Sequence, residues 1–124
     1  MIVQYTAAAV CNELRALAYP ASVGNISTSA GIEDYNSMGA TSARRLRRAV
    51  TLVGDVVAME LLIMAEGLEH QRPLRSGDGV EAMHTAIRAH VEPLTADRSP
   101  APDIAAIATA IGNGCLPCLD LESL

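Results

Sequence analysis

The sequence contains no phenylalanine, no tryptophan and no lysine, and only three tyrosines among its 124 residues, although half of it is hydrophobic. Alanine makes up the difference with 21 residues, followed by leucine with 13. A chain rich in these residues and poor in aromatic or β-branched runs favours helices, which pack closely where side chains are small. The composition therefore predicts an all-α fold, and the length predicts a single domain over residues 1–124.

Charge and the lack of long apolar runs exclude several classes of protein. The net charge is −5, so no nucleic-acid partner is expected. No run of about 18 apolar residues occurs, which argues against a membrane span. Met1 is followed directly by a helical pattern, without the basic region of a signal peptide. We therefore expect a cytoplasmic protein that binds neither nucleic acid nor membrane.

Cysteine and histidine are too few and too poorly spaced to predict a metal site. Cys115 and Cys118 form a C-x-x-C pair, but zinc needs four ligands and Cys11 is the only other cysteine. A redox pair would open a helix in a βαβ unit, and no segment here has the pattern of a strand. His84 and His90 lie six positions apart, which does not place two ligands on one helical face.

Apolar spacing and breaker residues predict the order of the elements. The first helix is expected over about 2–17, followed by a polar loop over 18–36 and a long helix over 37–68. Two shorter helices are expected over 80–91 and 103–111. The first helix begins at the chain start without a capping residue, which is typical of part of a larger fold.

The long helix carries apolar residues on almost every face. Six of them recur every three or four residues and form the stripe Leu46, Val50, Val53, Val57, Leu61 and Met64. Further apolar residues lie on the other faces, namely Leu52, Val56, Met59, Leu62 and Ile63. A helix that is apolar nearly all round is usually buried on several sides. Because a short chain offers little material for this, we expect partner chains to cover the helix, with a smaller core of its own as the alternative.

Four arginines lie in the first turns of the long helix, at positions 44, 45, 47 and 48. Positive charge is unfavourable near a helix N-terminus, so something acidic is expected to face them. They form either a solvated face or ion pairs at a subunit interface, for which arginine is well suited.

The polar stretch 27–39 is the candidate functional site, with the adjacent carboxylates Glu33 and Asp34 at its centre. Loops held between rigid helices often carry binding and catalytic groups. On the residues alone the simpler interpretation is an ordinary helix entry, in which Asp34 or Ser37 caps the long helix.

Several segments together resemble the histidine ammonia-lyase family, which includes the phenylalanine and tyrosine ammonia-lyases and related aminomutases. Ala-Tyr-Pro-Ala-Ser-Val at 18–23, Ser-Thr-Ser-Ala at 27–30 and Glu-Asp-Tyr-Asn-Ser-Met-Gly at 33–39 are similar to its late active-site loop. Residues 1–9 resemble the preceding helix, and 93–98 with 101–104 resemble the C-terminal region. The resemblance covers about 1–111 and implies part of a larger helical bundle.

The resemblance also implies a methylidene-imidazolone (MIO) electrophile, which this family builds from an Ala-Ser-Gly triplet. That triplet does not occur here, and the nearest sequences are Ala21-Ser22-Val23 and Thr41-Ser42-Ala43. The family's catalytic tyrosines and substrate-carboxylate arginine also precede the matching segment. The resemblance therefore implies that this chain carries no cofactor and supplies one wall of a site whose MIO group lies on a larger partner chain.

By position in the matching motif, Glu33 corresponds to the family's loop acid and is the predicted catalytic residue, able to bind an ammonium group or transfer a proton. Ser29, Ile32 and Asn36 are the predicted substrate-binding residues. Ser29 falls where the plant-type enzymes carry a further Glu, and Ile32 replaces the Gln common in bacterial members. Asn36 and Ser37 are expected to hold the loop by local hydrogen bonds.

The sequence thus predicts the small subunit of a split, MIO-dependent ammonia-lyase or aminomutase that acts on a small aromatic amino acid within a hetero-oligomer. A non-catalytic helical interaction protein derived from the same region is the alternative, and a free-standing helical binding module is the third possibility. A neighbouring gene for a chain with Ala-Ser-Gly would favour the split enzyme. The residues do not separate lyase from aminomutase or name the amino acid.

Overall fold

The structure is a computed structural model that describes residues 1–117, so Cys118 of the C-x-x-C pair lies outside the described residues. The described part is helical and contains no named strand, which confirms the all-α prediction. None of its helices is long and apolar enough to cross a membrane. The four α-helices are α1 (Ile2–Leu17), α2 (Gly39–Gln71), α3 (Asp78–Arg88) and α4 (Ala101–Gly112).

The helix ends follow local backbone chemistry. α1 has the predicted bounds. α2 begins at Gly39, two residues later than expected, because Met38 has a left-handed backbone with a φ of 51°. Its end lies at Gln71, shortly before Pro73, which cannot continue the helical hydrogen bonds. The other two helices both begin two residues earlier than predicted; α3 ends three residues earlier than predicted and α4 one residue later.

The chain forms two compact units, Met1–Val53 and Gly54–Leu124, and the boundary falls within α2. Whether they behave as a single domain stays a prediction. In the first unit Arg48 Nε donates to Glu13 Oε1 at 3.0 Å, and Arg45 Nη1 donates to the carbonyl oxygen of Tyr19 at 2.6 Å. Two of the four clustered arginines therefore bind groups of the same unit, and one of these groups is acidic, as expected.

The second unit has a small hydrophobic core of its own, to which α2, α3 and α4 contribute. Its centre is Ile107, which has no exposed surface. Burying an aliphatic side chain of this size stabilises a fold by about 1.5–3 kcal/mol. The buried residues of the cluster are Ala58, Leu62, Ala65, Ile87, Val91 and Ile107.

Most of the regular stripe of α2 is exposed, and of its six residues only Leu61 packs against the buried cluster. Leu46, Val50 and Val53 are 64%, 65% and 49% exposed, whereas Leu52 and Met59 on another face are buried. The chain therefore buries part of α2 in a core of its own, which was the alternative to coverage by partner chains. Coverage of the stripe by a partner stays a prediction.

A charged cluster joins the end of α2 to α3. Arg72 donates from Nη1 and Nη2 to the two carboxylate oxygens of Glu81 at 2.9 and 3.0 Å, and the Ser76 N–H donates to Glu81 Oε1 at 2.9 Å. The hydrogen bond from Arg72 is the largest cause that lowers the pKa of Glu81 from 4.5 to about 2, and the hydrogen bond from the Ser76 N–H is the second. Glu81 therefore remains a carboxylate far into the acidic range.

Buried His84 belongs to the same cluster, where it has a structural role. Its Nδ1 faces Arg72 Nη2 at 3.4 Å, and its Nε2 lies 2.9 Å from Glu69 Oε1. Because a guanidinium only donates, Nδ1 is the acceptor and Nε2 carries the hydrogen donated to Glu69. Burial works to raise the pKa of Glu69, but hydrogen bonds from Arg88 and His84 outweigh it and hold that pKa below its ordinary value of 4.5.

Candidate functional site

The loop between α1 and α2 contains every predicted site residue, and its centre is a tight turn. The Thr28 N–H donates to the Glu33 carbonyl at 2.8 Å, and the Glu33 N–H donates back to the Thr28 carbonyl at 3.3 Å. Inside this pair the Gly31 N–H donates to Thr28 at 3.1 Å and the Ile32 N–H donates to Ser29 at 3.2 Å. Both the N–H and the carbonyl group of Glu33 are therefore hydrogen-bonded to the main chain of Thr28.

Three consecutive residues of this turn have left-handed backbones. The φ angles are 52° at Ser29, 53° at Ala30 and 88° at Gly31. Only glycine adopts such angles without steric cost, because the Cβ of other L-residues approaches the backbone. Strained conformations of this kind persist only where surrounding contacts determine them, and they are frequent at functional sites.

A second closure surrounds the turn and depends on Asn25. Its Nδ2 donates to the carbonyl oxygen of Asn36 at 2.9 Å, and its Oδ1 accepts from the Asn36 N–H at 3.0 Å. We call this pair of hydrogen bonds the Asn25–Asn36 clamp. Asn25 was not among the residues predicted from the sequence. Asparagine commonly bonds loop backbone, but nothing in the sequence pointed to a partner eleven positions away.

The structure brings three of the four predicted site residues together in the turn. Glu33, Ser29 and Ile32 are exposed, and Ile32 is 82% exposed. Asn36 lies in the clamp and is half-buried. Their roles toward a substrate stay predictions.

Asn36 and Ser37 were expected to hold the loop by hydrogen bonds. Only Asn36 does so, and it uses its backbone N–H and carbonyl groups. Within residues 1–117, the hydrogen bonds at Asn36 use its backbone, and the side chain of Ser37 makes none. Asn25 supplies the side chain instead. In the simpler interpretation, Asp34 or Ser37 caps α2. Among the described residues neither side chain makes a hydrogen bond to the start of that helix.

An exposed carboxylate on a fixed backbone can bind a cation or exchange a proton. Neither Glu33 nor Asp34 takes part in an ion pair among the described residues, so both carboxylates face outward without a competing partner. Residues 1–117 also contain no cluster of three or more His, Cys, Asp or Glu side chains that could hold a metal ion. The chemistry available to this loop is therefore that of a carboxylate.

The sequence profile of the family described as "Aromatic amino acid lyase" matches residues 1–89. The chain belongs to the aromatic amino acid lyase family. This confirms the resemblance from the sequence.

The similar proteins are histidine ammonia-lyases. The enzyme of Symbiobacterium thermophilum is 47% identical over 114 residues, which are 92% of this chain and 22% of the relative. The enzyme of Mus musculus is 44% identical over 106 residues, or 86% of this chain and 16% of the relative. The crystal structure of histidine ammonia-lyase from Trypanosoma cruzi matches with a TM-score of 0.87 and 36% identity, covering 93% of this chain and 23% of that one. The chain therefore spans about a quarter or less of the relatives it matches.

The residues present do not fit formation of an MIO group on this chain. No Ala-Ser-Gly triplet occurs in the sequence. In the nearest candidate, Ala21-Ser22-Val23, a valine occupies the position that needs glycine, and all three residues lie in a short 3-10 helix. The described loop offers groups for binding and proton transfer, among them the Glu33 carboxylate and the Ser29 hydroxyl.

Proposed function

We propose that this chain is the small subunit of a split ammonia-lyase or aminomutase that acts on an aromatic amino acid, histidine included. It supplies the C-terminal helices and the loop acid, and a larger partner chain supplies the MIO group and the rest of the site. The observation that carries the proposal is the turn that holds Glu33 outward, in a chain that matches about a fifth of a histidine ammonia-lyase.

Glu33 is the group through which this chain acts on the substrate. Its carboxylate binds the ammonium group or takes a proton, and a positioned general base of this kind contributes typically ~10²–10⁴-fold to a rate. Ser29 and Ile32 belong to the same turn and line the substrate beside Glu33, the first by hydrogen bonding and the second by apolar contact. Asn36 borders the site from the clamp.

The test is co-expression with a larger ammonia-lyase-like chain that contains Ala-Ser-Gly, followed by purification of the complex. Histidine, phenylalanine and tyrosine are offered, and release of an α,β-unsaturated acid or a β-amino acid is measured. Glu33→Gln keeps the size of the side chain and removes its charge, so we expect a loss of about 100-fold or more in kcat. Asp34→Asn is the matched control at the neighbouring carboxylate and should remain within a few-fold of the wild type.

Two outcomes would overturn the proposal. If no larger chain binds and no product forms, the chain is not a subunit of a split enzyme. If a complex forms and works equally well with Glu33→Gln, the chain is a non-catalytic helical interaction protein, the alternative drawn from the sequence.

A further inference from the structure

The loop around Glu33 is closed twice, and the outer closure depends on one side chain. The inner closure is the Thr28–Glu33 backbone pair, and the outer closure is the Asn25–Asn36 clamp. Both lie in the unit Met1–Val53. After Glu33, the next backbone hydrogen bond of the described loop is at Asn36, so the inner pair does not hydrogen-bond the main chain at positions 34 and 35.

We propose that Asn25 is a positioning residue that fixes Glu33 through the main chain of Asn36, an inference that rests on the function proposed above. Within the described residues the Glu33 carboxylate makes no ion pair and no hydrogen bond, so neither kind of interaction orients it. Its location is therefore set by the backbone on either side. Thr28 holds the residue itself, and Asn25 holds the chain three residues later.

Asparagine is the residue that this clamp requires. A carboxamide has one donor nitrogen and one acceptor oxygen on the same carbon, so it can satisfy both the carbonyl and the N–H of Asn36. Aspartate would keep the acceptor but place an oxygen against the Asn36 carbonyl. Alanine would leave both backbone groups unsatisfied in a half-buried position, which is unfavourable.

The first measurement is amide hydrogen exchange by NMR on the chain alone. Asn25→Ala should speed exchange at the Asn36 N–H about tenfold, since one net hydrogen bond is lost there. Asn25→Asp should leave that amide more protected than Asn25→Ala does, because its acceptor remains. The matched control is Asn12→Ala, since Asn12 is an exposed asparagine on α1 in the same unit. This substitution should leave the exchange rates of the Asn36 and Thr28 amides unchanged.

The second measurement uses the complex with the larger chain. Asn25→Ala should lower kcat by about 10- to 100-fold through misplacement of the acid, with a smaller change in KM. In the Glu33→Gln background the same substitution should have little further effect, because no acid is left to position. A residue that only stabilised the fold would lower activity equally in both backgrounds.

The results separate this inference from the proposed function. Unchanged exchange at Asn36 in Asn25→Ala overturns the clamp, and additive losses in the double variant overturn its positioning role. If the wild-type complex gives no product, the proposed function fails and the positioning role fails with it, whereas the exchange data still decide whether Asn25 holds the loop.

Discussion

Gly31 has the largest positive φ angle of the loop, a conformation that favours glycine. Its φ of 88° lies beyond the range that other L-residues tolerate readily, and it follows two non-glycine residues that are already left-handed. A Cβ at this position would meet no atom within 4 Å, so crowding by neighbours plays no part. Any effect of substitution there reports the backbone conformation itself.

We expect Gly31→Ala to lower the free energy of unfolding by about 1–2 kcal/mol, the cost of a left-handed L-residue. Gly24→Ala is the matched control, since a Cβ there also meets nothing within 4 Å and the backbone is not left-handed. It should change stability by less than about 0.5 kcal/mol. Urea unfolding of both variants measures the difference, and equal effects would contradict this account of the turn.

Glu81 connects the stability of the second unit to pH. Its pKa in the folded chain is about 2, against an ordinary value of 4.5, because Arg72 and the Ser76 N–H stabilise the carboxylate. A depressed pKa means that the unfolded chain binds this proton more readily than the folded chain does. The stabilisation is therefore complete above about pH 4.5 and is lost as the pH falls toward about 2.

We expect the Tm of the wild type to fall steeply between about pH 4.5 and pH 2, and the Tm of Glu81→Gln to fall less over that window. At pH 7 the variant should melt below the wild type, because it lacks the charge that Arg72 binds. Thermal melts across the pH range measure both effects. Glu60→Gln, at an exposed site on α2, serves as the control and should follow the wild type.

At the scale of the elements, α2 shows what hydrophobic spacing can and cannot predict. Its helical state and approximate length followed from the apolar repeat, because a period near 3.6 residues is specific to helices. The choice of buried face did not follow. Leu46 and Val50 have ideal spacing yet are exposed, whereas Leu52 is buried. Spacing shows that a face is apolar, but it does not show which apolar face the folded chain covers.

The candidate site shows the same limit. Glu33 was reached through the resemblance, since two adjacent carboxylates in a loop are equally consistent with a helix entry. Asn25 was missed because its partner is a backbone group eleven positions away, which only the folded loop brings near.

Ile107 is the largest completely buried side chain of the described residues, and α4 brings it into the core. Ile107→Ala should lower the free energy of unfolding by about 2–5 kcal/mol, because it leaves a cavity in a fully buried site. Ile63→Ala removes the same atoms from a side chain that is 51% exposed and should cost less than about 1 kcal/mol. Equal losses in chemical unfolding of the two variants would mean that the second unit has no core centred on Ile107.

At the scale of the whole molecule, the first unit exposes apolar side chains along α2. Leu46, Val50 and Val53 remain about half to two thirds exposed on α2. Contiguous exposed apolar surface of this kind commonly marks a protein interface. Under the proposed function, the larger ammonia-lyase-like chain is its occupant.

Val50→Asp should weaken binding of the larger chain by about tenfold or more, because it places an unpaired charge in a desolvated contact. The isolated variant should keep its fold, since Val50 is 65% exposed. Thr51→Asp adds the same charge at the next exposed position, off the stripe, and should bind like the wild type. Titration of the purified chains measures both affinities, and equal binding by Val50→Asp would show that this face lies outside the interface.

The two closures of the loop also determine when the loop forms. Both join residues no more than eleven positions apart, from Asn25 to Asn36 and from Thr28 to Glu33. A segment of about ten residues closes on a timescale of about 10–100 ns, far faster than two proteins meet at ordinary concentrations. Under the proposed function, the acid would therefore be in place before the larger chain binds. Association then orders fewer residues, which leaves more of the interaction energy for affinity.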